Sequence, residues 1–266
     1  MSDHGGGPLE LRAFLARDRE TTVWKGWAEG GLGKKPKTQE RREDDYLVVS
    51  QDLGLKWRSS QRHTNEDFEV KIRLYHNPLT GCEEWSKHVG LKCALPSLAS
   101  LDSRGQQAFK QALTAPLLHL GPQLSPPEAR ILSEAAAIIS DPSFDVRPRL
   151  LRVAKARRQL ALGPKKVLKL VRQRQEGCQE PPEALTSGAP FRVVVEQAYF
   201  SVSRPLLEGP PLVQQHRSIC VEGHGQESCL LWVLSRLALH SATARGLPYL
   251  IAGYPQYLET LLKQQA

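Results

Sequence analysis

The chain has 266 residues, of which 40% are hydrophobic, so it is long enough to bury a core and to fold by burial alone. Its five cysteines are odd in number and widely spaced, which excludes a disulfide framework and favours reduced thiols in a cytoplasmic or nuclear protein. The first residues contain no apolar signal segment, and Arg236 interrupts the most hydrophobic later run, so we expect neither secretion nor a membrane span.

The net charge of +8 is concentrated in one part of the chain. Residues 147–174 contain eleven Lys or Arg and no Asp or Glu, whereas the remainder holds 25 bases against 28 acids. A segment of a single sign is typical of a surface for a polyanion such as nucleic acid, phosphate chains or acidic lipid. A solvated helix face rich in arginine explains the helical half of the segment equally well.

The first part of the chain alternates apolar and polar residues, a period of two that predicts strands. The predicted strands are Leu9–Leu15 and residues 46–50, 55–58, 68–75 and 82–88. Residues 29–43 are rich in Gly, Lys and Arg and are predicted to form a mobile loop. This part of the chain is therefore interpreted as a β-meander.

From residue 96 the hydrophobic period approaches that of an α-helix. Ser125 and Glu128, with prolines between them, form a capping box and predict the start of one helix. A second helix is predicted from about residue 148 to Gly163. We therefore expect a helical insertion at about residues 96–163.

Strands are predicted to resume after this insertion, at residues 166–174, 191–202 and 217–222. The last predicted elements are a helix at residues 227–244 and a short helix after Pro255.

The strand at residues 68–75 carries charge on one face only. Glu69, Lys71 and Arg73 share that face, and apolar residues occupy the other. Bases recur at every second position in two further predicted strands, namely Lys56 with Arg58, and Arg172 with Arg174. If these strands closed around one axis, their bases would line a polar bore. The alternative is a set of ordinary amphipathic strands whose polar faces meet water.

Several motifs follow one another in an order that resembles a known superfamily. They are Glu10-x-Arg12 in the first strand, Leu-Lys-Trp-Arg, Glu-x-Lys-x-Arg, a helical interruption, Arg-x-Arg, a long strand holding Glu196, a strand ending in Val-Glu, and a final Gly-Tyr-Pro-Gln-Tyr-Leu. Together they resemble the triphosphate tunnel metalloenzyme, or CYTH, superfamily. It includes thiamine triphosphatase, the class IV adenylyl cyclases, fungal RNA triphosphatase and the catalytic domain of polyphosphate polymerase.

This resemblance implies an α+β fold, an antiparallel eight-stranded β-barrel or tunnel with a helical insertion and a C-terminal helix. It implies a single barrel domain over residues 9–266, after a disordered segment at residues 1–8. The bore of such a tunnel grips a triphosphate with Lys and Arg, and glutamates at its ends hold one or two divalent metals. Because a triphosphate carries about four negative charges, a closed bore needs several fixed cations to compensate for its desolvation.

The resemblance also implies roles for particular residues. The residues implied to contact phosphate are Arg12, Lys56, Arg58, Lys71, Arg73, Arg172, Arg174 and Arg217. The implied carboxylate ligands of a divalent metal, Mg²⁺ or Mn²⁺, are Glu10, Glu69, Glu196 and Glu222.

The sequence departs from the family pattern at two acidic motifs. The family's first strand carries Glu-x-Glu-x-Lys, and the corresponding places here hold Pro8, Glu10 and Arg12. The last barrel strand of the family offers paired acids, whereas here Cys220 lies two places before Glu222. Losing an oxygen ligand weakens a site for Mg²⁺, so the sequence supports the tunnel more than it supports hydrolysis.

Two hypotheses about function follow. The first is a tunnel that binds a triphosphate- or polyphosphate-containing ligand. Whether it also hydrolyses the ligand with the help of a divalent metal is left open. The alternative is a non-enzymatic adaptor of the same fold that binds RNA or an acidic protein partner through the basic segment at residues 147–174.

Two further groups of side chains leave alternatives open. Glu196 lies in an otherwise apolar strand, so it is either paired with an arginine or a ligand of a bound group. Two sets of residues each combine two cysteines with a histidine, but neither has the close Cys-x-x-Cys spacing of a zinc site. We therefore expect their cysteines to be buried structural thiols rather than zinc ligands. These sets are Cys82, His88 and Cys93, and Cys220, His224 and Cys229.

Overall fold

Antiparallel strands form most of the protein, in a computed structural model that describes residues 8–15, 38–59, 67–92, 103–172, 180–186, 191–207, 212–234 and 249–264. Within these ranges nine strands join in one antiparallel sheet. They are β1 Leu9–Leu15, β2 Thr38–Ser50, β3 Leu53–Ser59, β4 Asp67–His76, β5 Glu83–Lys92, β6 Leu150–Leu162, β7 Val193–Ser203, β8 Val213–Gly223 and β9 Tyr249–Ile251.

The sheet closes on itself through strand β1. Neighbouring strands follow the order β5-β4-β3-β2-β6-β7-β8-β1, and β1 also pairs with β5 through Leu9 and Glu10. In the described part of the chain this makes a closed barrel of eight strands, with β9 added to the far end of β1. The expected fold class, an α+β protein built on an antiparallel barrel, is confirmed.

Six α-helices lie among the described residues. They are α1 Ser103–Leu120, α2 Pro126–Ser140, α3 Pro164–Arg172, α4 Glu183–Thr186, α5 Glu227–Leu234 and α6 Tyr254–Lys263. Two short 3₁₀ turns, Gly121–Gln123 and Arg147–Arg149, complete the helical structure of these ranges. Helix α2 begins at the predicted capping box, where the Ser125 backbone N–H donates to Glu128 Oε2 at 2.9 Å. No helix in the described ranges has the length and apolarity needed to cross a membrane.

Helices cover two regions of the outer barrel surface. The outward side chains of β3 and β4, among them Leu55 and Phe68, pack against Phe109 of α1 and Leu132 of α2. Those of β1, β7 and β8 pack against α3, α4 and α5. Because these strands bury their outer faces under helices, their polar alternate residues must point into the barrel.

A third apolar cluster lies inside the barrel at one end. It combines inward side chains of β1, β2, β6, β7 and β8 with residues of α6, which enters the barrel there. The predicted short helix after Pro255 is thus confirmed, and it forms part of the barrel interior.

The predicted helix ending at Gly163 is wrong, because this segment is strand β6. It pairs with β2 over residues 150–159 and with β7 over residues 152–162. Its inward residues are apolar at Leu151 and Val153 but polar at Lys155, Arg157 and Gln159, so no apolar stripe of period two runs along it. Hydrogen bonding to a strand on each side then decides the conformation. Within the described residues the helical insertion is therefore limited to α1 and α2.

The predicted strand at residues 166–174 is also wrong. Pro164 starts helix α3, whose Leu and Lys residues favour a helix, and α3 contains Arg172. Thr38 to Glu43, predicted within a loop, form the first half of β2 because β6 pairs with them.

Some predictions fall beyond the described ranges. The helix predicted at residues 227–244 is confirmed as α5 up to Leu234, and residues 235–248 lie outside the described residues. The same holds for residues 1–7 of the predicted disordered segment. The extent of the single domain stays a prediction.

Candidate anion-binding site

The barrel interior holds a polar cavity of about 320 Å³. Among the described residues, seven bases from six strands line it: Arg12 of β1, Arg42 of β2, Lys56 of β3, Lys71 of β4, Lys87 of β5, and Lys155 and Arg157 of β6. Four carboxylates line it with them, namely Glu10, Glu69, Glu196 and Glu222. The described lining of the cavity thus has three more bases than acids.

The sequence predicted part of this lining. Three of the residues expected to contact phosphate, Arg12, Lys56 and Lys71, line the cavity. All four of the expected metal-side glutamates line it as well. The convergence of these side chains on one enclosed volume is therefore a property of the fold, while their roles toward a ligand stay predictions.

Arg73 lies on the inner face of β4 but is tied to other carboxylates. Its Nε donates to Asp52 Oδ1 at 2.8 Å and its Nη1 donates to Glu83 Oε1 at 2.9 Å. It lines a second groove, beside helix α2, together with Tyr75 and His76. The structure therefore does not bring Arg73 to the lining of the central cavity.

Of the remaining predicted phosphate contacts, Arg217 points away from the cavity. Arg172 belongs to helix α3, because the segment that contains it is not a barrel strand. Arg217 shares a face of β8 with Ile219 and Val221, which pack under helix α5. Arg174 and the side chains of Arg58 and Arg172 lie outside the described residues.

Four bases of the lining were not predicted as phosphate contacts. Lys155 and Arg157 were assigned to a helix, and Arg42 was assigned to a loop. Lys87 lies in a correctly predicted strand but was not singled out. The spacing of Lys155 and Arg157 by two residues was the signal that could have placed them on one face of a strand.

Glu196 is the most connected carboxylate of the cavity. It accepts hydrogen bonds from Arg12 Nη1 at 3.1 Å, Arg157 Nη1 at 3.0 Å and Gln159 Nε2 at 3.0 Å. Its own burial opposes ionisation, but Arg12 and the neighbouring bases outweigh it and lower the pKa of Glu196. Of the two alternatives left open by the sequence, pairing with arginine is the one observed.

Glu10 is held in the same way. It accepts a hydrogen bond from Arg12 Nε at 3.1 Å, and Lys71 Nζ lies 3.6 Å from its other oxygen. Burial alone would raise the pKa of Glu10, but Lys71 and Arg12 together lower it to about 2. Glu10 is therefore a fixed negative charge at physiological pH.

The deepest bases of the cavity are strongly desolvated. Lys155 Nζ lies 3.1 Å from Asp44 Oδ2, and Lys56 Nζ lies 2.9 Å from Glu69 Oε1. Burial lowers the pKa of Lys155 to about 7 and that of Lys56 to about 8, although Asp44 partly offsets this effect. These two ammonium groups are therefore poised to gain or lose a proton near neutral pH.

The carboxylates do not fit a divalent metal as they are arranged. Glu10 and Glu196 are bound to Arg12, and Glu69 lies between Lys56 and Lys87 Nζ, the latter at 3.3 Å. Among the described residues, no group of three or more His, Cys, Asp or Glu is placed to hold a metal ion. Three of the four glutamates thus serve as internal counter-ions of the bases, and a role in metal binding stays a prediction.

The basic segment at residues 147–174 does not form one helical surface. Lys155 and Arg157 point into the cavity, whereas Arg152 lies on the outer face of β6 and binds Asp45, with Nε to Oδ1 at 2.8 Å. The positive charge of the segment is therefore divided between the two faces of a strand and helix α3.

Comparisons with known proteins add a likeness of fold. No family model and no curated protein matches the sequence. Among solved structures, HpAC1 from Hippeastrum, described as a candidate adenylyl cyclase with a dominant triphosphatase activity, matches with a TM-score of 0.40 at 12% identity. That match covers 97% of this chain and 96% of HpAC1. A conserved hypothetical protein from Pyrococcus furiosus matches with a TM-score of 0.35 at 12% identity, over 86% of this chain and 89% of the other. At these scores neither likeness assigns an activity to this chain.

Proposed function

We propose that the barrel binds a triphosphate- or polyphosphate-containing ligand in its central cavity. The observation that supports this proposal is the convergence of seven bases, from six strands of the described barrel, on one cavity. Strands that enclose an ordinary core carry apolar inward residues. We therefore expect the bases that converge on this cavity to bind an anionic ligand. Phosphate oxygens accept several short, charge-assisted hydrogen bonds from such groups.

The ion pairs of the cavity fit this proposal. Without a ligand, Glu10, Glu69 and Glu196 compensate the bases and spare them from being buried alone. A bound triphosphate supplies about four negative charges and replaces part of these contacts. The seven bases of the described lining outnumber its four glutamates and Asp44, which pairs with Lys155 and Arg42, by two, and this excess favours an anionic ligand.

Ligand binding is the extent of the proposed function. The resemblance implies hydrolysis dependent on Mg²⁺ or Mn²⁺, but the glutamates of the cavity are engaged by bases rather than grouped around a metal position. We therefore derive no hydrolytic step. The adaptor alternative loses the helical surface on which it depended, and RNA binding stays an untested prediction.

The test compares two neighbouring arginines on opposite faces of β6. Arg157 Nη1 reaches Glu196 inside the cavity, whereas Arg158 lies on the outer face of the strand. Isothermal titration with tripolyphosphate should show binding to the wild type and to Arg158→Gln, and affinity at least about tenfold weaker for Arg157→Gln. Equal affinity for the two variants, or no binding to the wild type, would contradict the proposal.

Lys71→Ala provides a second variant that leaves the fold less disturbed. The Lys71 side chain is 30% exposed, and in its absence Glu10 keeps the hydrogen bond that Arg12 Nε donates at 3.1 Å, so the loss of stability should be smaller than for Arg157→Gln. It should weaken tripolyphosphate binding as well. The titrations are repeated with Mg²⁺, with Mn²⁺ and with a chelator, and phosphate release is followed in the same samples to test for hydrolysis.

A further inference from the structure

The basic segment of the sequence that contains β6 is only partly used by the cavity. Lys155 and Arg157 point inward, so the alternate residues of β6 lie on the outer surface of the barrel. Among these, Arg152 is paired with Asp45, with Nε 2.8 Å from Oδ1. Arg158, in contrast, makes no ion pair with any described residue. Part of the positive charge on the outer surface is therefore free to meet a ligand outside the barrel.

Two neighbouring strands place further side chains on the same outer face. Arg41 of β2 lies opposite Ala156 of β6, and Tyr199 of β7 lies opposite the same alanine from the other side. Arg158 is two residues further along β6, so it is a diagonal neighbour of both, at roughly 7–8 Å. Arg41 is exposed and has no ion-pair partner in the described part of the chain. These four residues, Arg41, Ala156, Arg158 and Tyr199, are called the outer patch below.

The Tyr199 ring is accessible on this surface. The residue is 42% exposed, and within the described ranges its ring packs against no other aromatic ring and no cation. Its hydroxyl accepts a hydrogen bond from Gln197 Nε2 at 3.2 Å, which holds the side chain along β7. Its neighbours on β6 are Ala156, opposite, and Ala154, on the diagonal, and both are partly exposed. Because these side chains are short, they leave one side of the ring open to a ligand.

One buried residue and one acid mark the limits of the outer patch. On β8 the residue opposite the tyrosine, Arg217, is buried. On β2 an exposed acid, Glu43, lies two residues beyond Arg41 and would repel an anion. In the other direction β6 leads to helix α3, where Lys165 and Lys166 are exposed. A polyanion on the outer patch would therefore extend toward α3.

From this arrangement we infer that the outer patch binds single-stranded nucleic acid. The two arginines contact phosphates, and the Tyr199 ring stacks on a base, which is how proteins hold unpaired strands of RNA or DNA. An acidic peptide would pair with the arginines but leave the ring without a partner. The site lies outside the barrel, is separate from the central cavity, and does not depend on the proposed function.

The first test measures stacking on the tyrosine. Fluorescence anisotropy follows the binding of oligouridylate and oligothymidylate of about ten nucleotides that carry no terminal phosphate. The wild type should bind both, and Tyr199→Ala should bind at least about fivefold more weakly because a stacked base is lost. Tyr199→Phe keeps the ring and should bind within about twofold of the wild type. No binding by the wild type, or equal binding by folded Tyr199→Ala, would overturn the inference.

The second test measures the phosphate contacts. Arg158→Gln should weaken binding and reduce the slope of log affinity against log salt concentration by about 0.7, the value for one phosphate of a single strand. Arg104→Gln is the matched control, because it removes the same charge from an exposed position on α1, which packs over β3 and β4. Equal effects of the two variants would show that binding follows overall charge, contrary to the inference.

Other occupants of the surface are separated by two further ligands. A duplex of the same length should bind more weakly than the single strand, because its bases are stacked on one another and cannot stack on Tyr199. Oligoaspartate of equal charge should also bind more weakly. Equal affinity for either ligand would identify a general polyanion or acidic-protein surface and refute the inference. The duplex comparison on the wild type decides the matter if Tyr199→Ala does not fold.

Competition separates the outer patch from the cavity. Tripolyphosphate in excess, at matched ionic strength, should leave the oligonucleotide bound to the wild type. Displacement would show that the strand enters the cavity, which would overturn the inference and leave the proposed function in place. Failure of tripolyphosphate to bind would refute the proposed function alone, because oligonucleotide binding is measured directly.

Discussion

Arg12 and Glu196 form a buried ion pair across the barrel interior, with Arg12 Nη1 3.1 Å from Glu196 Oε1. Both side chains are 8% exposed, and Arg12 also donates to Ser218 Oγ at 3.3 Å. The pair links β1 to β7, two strands that are separated in the sheet by β8. Each partner would be costly to bury alone, so the two charges depend on each other.

Removal of this carboxylate should therefore destabilise the protein. We expect Glu196→Ala to lower the free energy of unfolding by about 3 kcal/mol or more, because Arg12 and Arg157 lose a shared acceptor. Denaturant unfolding measures the change. Glu134→Ala, which breaks an exposed pair with Arg130 on helix α2, should change it by less than about 1 kcal/mol. A loss below about 1 kcal/mol for Glu196→Ala would contradict the role of the pair.

Glu69 distinguishes an internal counter-ion from a metal ligand. Its carboxylate lies 2.9 Å from Lys56 Nζ and 3.3 Å from Lys87 Nζ. If it only compensates these bases, Glu69→Gln should raise tripolyphosphate affinity several-fold without added metal, since one negative charge beside the ligand is removed. Titration calorimetry with a chelator, and then with Mg²⁺, measures this. Weaker binding that appears only when Mg²⁺ is present would indicate metal ligation instead.

Binding should be coupled to proton uptake. Burial lowers the pKa of Lys155 to about 7 and of Lys56 to about 8 in the free protein, so both groups lose their proton as the pH rises through these values. A phosphate ligand favours the protonated forms, and affinity should therefore be higher at pH 7 than at about pH 9. The same pH series in Lys155→Arg separates the contribution of Lys155 from that of the ligand's own titration, because the guanidinium keeps its charge over this range.

Calorimetry in buffers of different ionisation enthalpy measures the protons taken up. Uptake should be positive near pH 8 and smaller in Lys155→Arg, whose guanidinium stays charged. Equal proton uptake by the wild type and by Lys155→Arg at this pH would show that Lys155 does not contact the ligand.

Gly253 is required where α6 enters the barrel. It precedes Tyr254 with extended backbone, and an added Cβ would lie 2.9 Å from Trp85 Cζ2 and closer still to Glu83 Oε2. Gly253→Ala should therefore destabilise the protein by about 1–3 kcal/mol in denaturant unfolding. Gly163→Ala is the matched control, because nothing lies within 4 Å of the added atom. Equal stability of the two variants would show that the apolar cluster at this end of the barrel tolerates displacement of α6.

The alternation of residues predicted the strands of the first half of the chain well, and it predicted that their bases face a common interior. Leu9–Leu15 was predicted with the bounds observed, and Lys56 and Lys71 do converge. These strands each bury one apolar face under a helix, so the period of two is visible in the sequence.

Strand β6 could not be predicted in this way, because its inner face runs from the apolar cluster at one end of the barrel to the charged cavity. Its inner face changes from Leu151 and Val153 to Lys155 and Arg157, and the hydrophobic pattern changes with it. Helix α3 was mistaken for a strand because its Leu and Lys residues alternate over a short distance. The pairing of Glu196 with Arg12 spans 184 residues and depends on barrel closure, which no local pattern reveals.

The double pairing of β1 has a consequence for folding. This strand joins β5 on one side and β8 on the other, so residues about 200 positions apart in sequence, such as Arg12 and Cys220, must meet before the barrel is complete. Until β1 has paired with both β5 and β8, these two strands have unpaired edges, and unpaired edges favour association between chains. We therefore expect refolding that is slow and depends on protein concentration, with closure of the barrel, which creates the central cavity, as its last step.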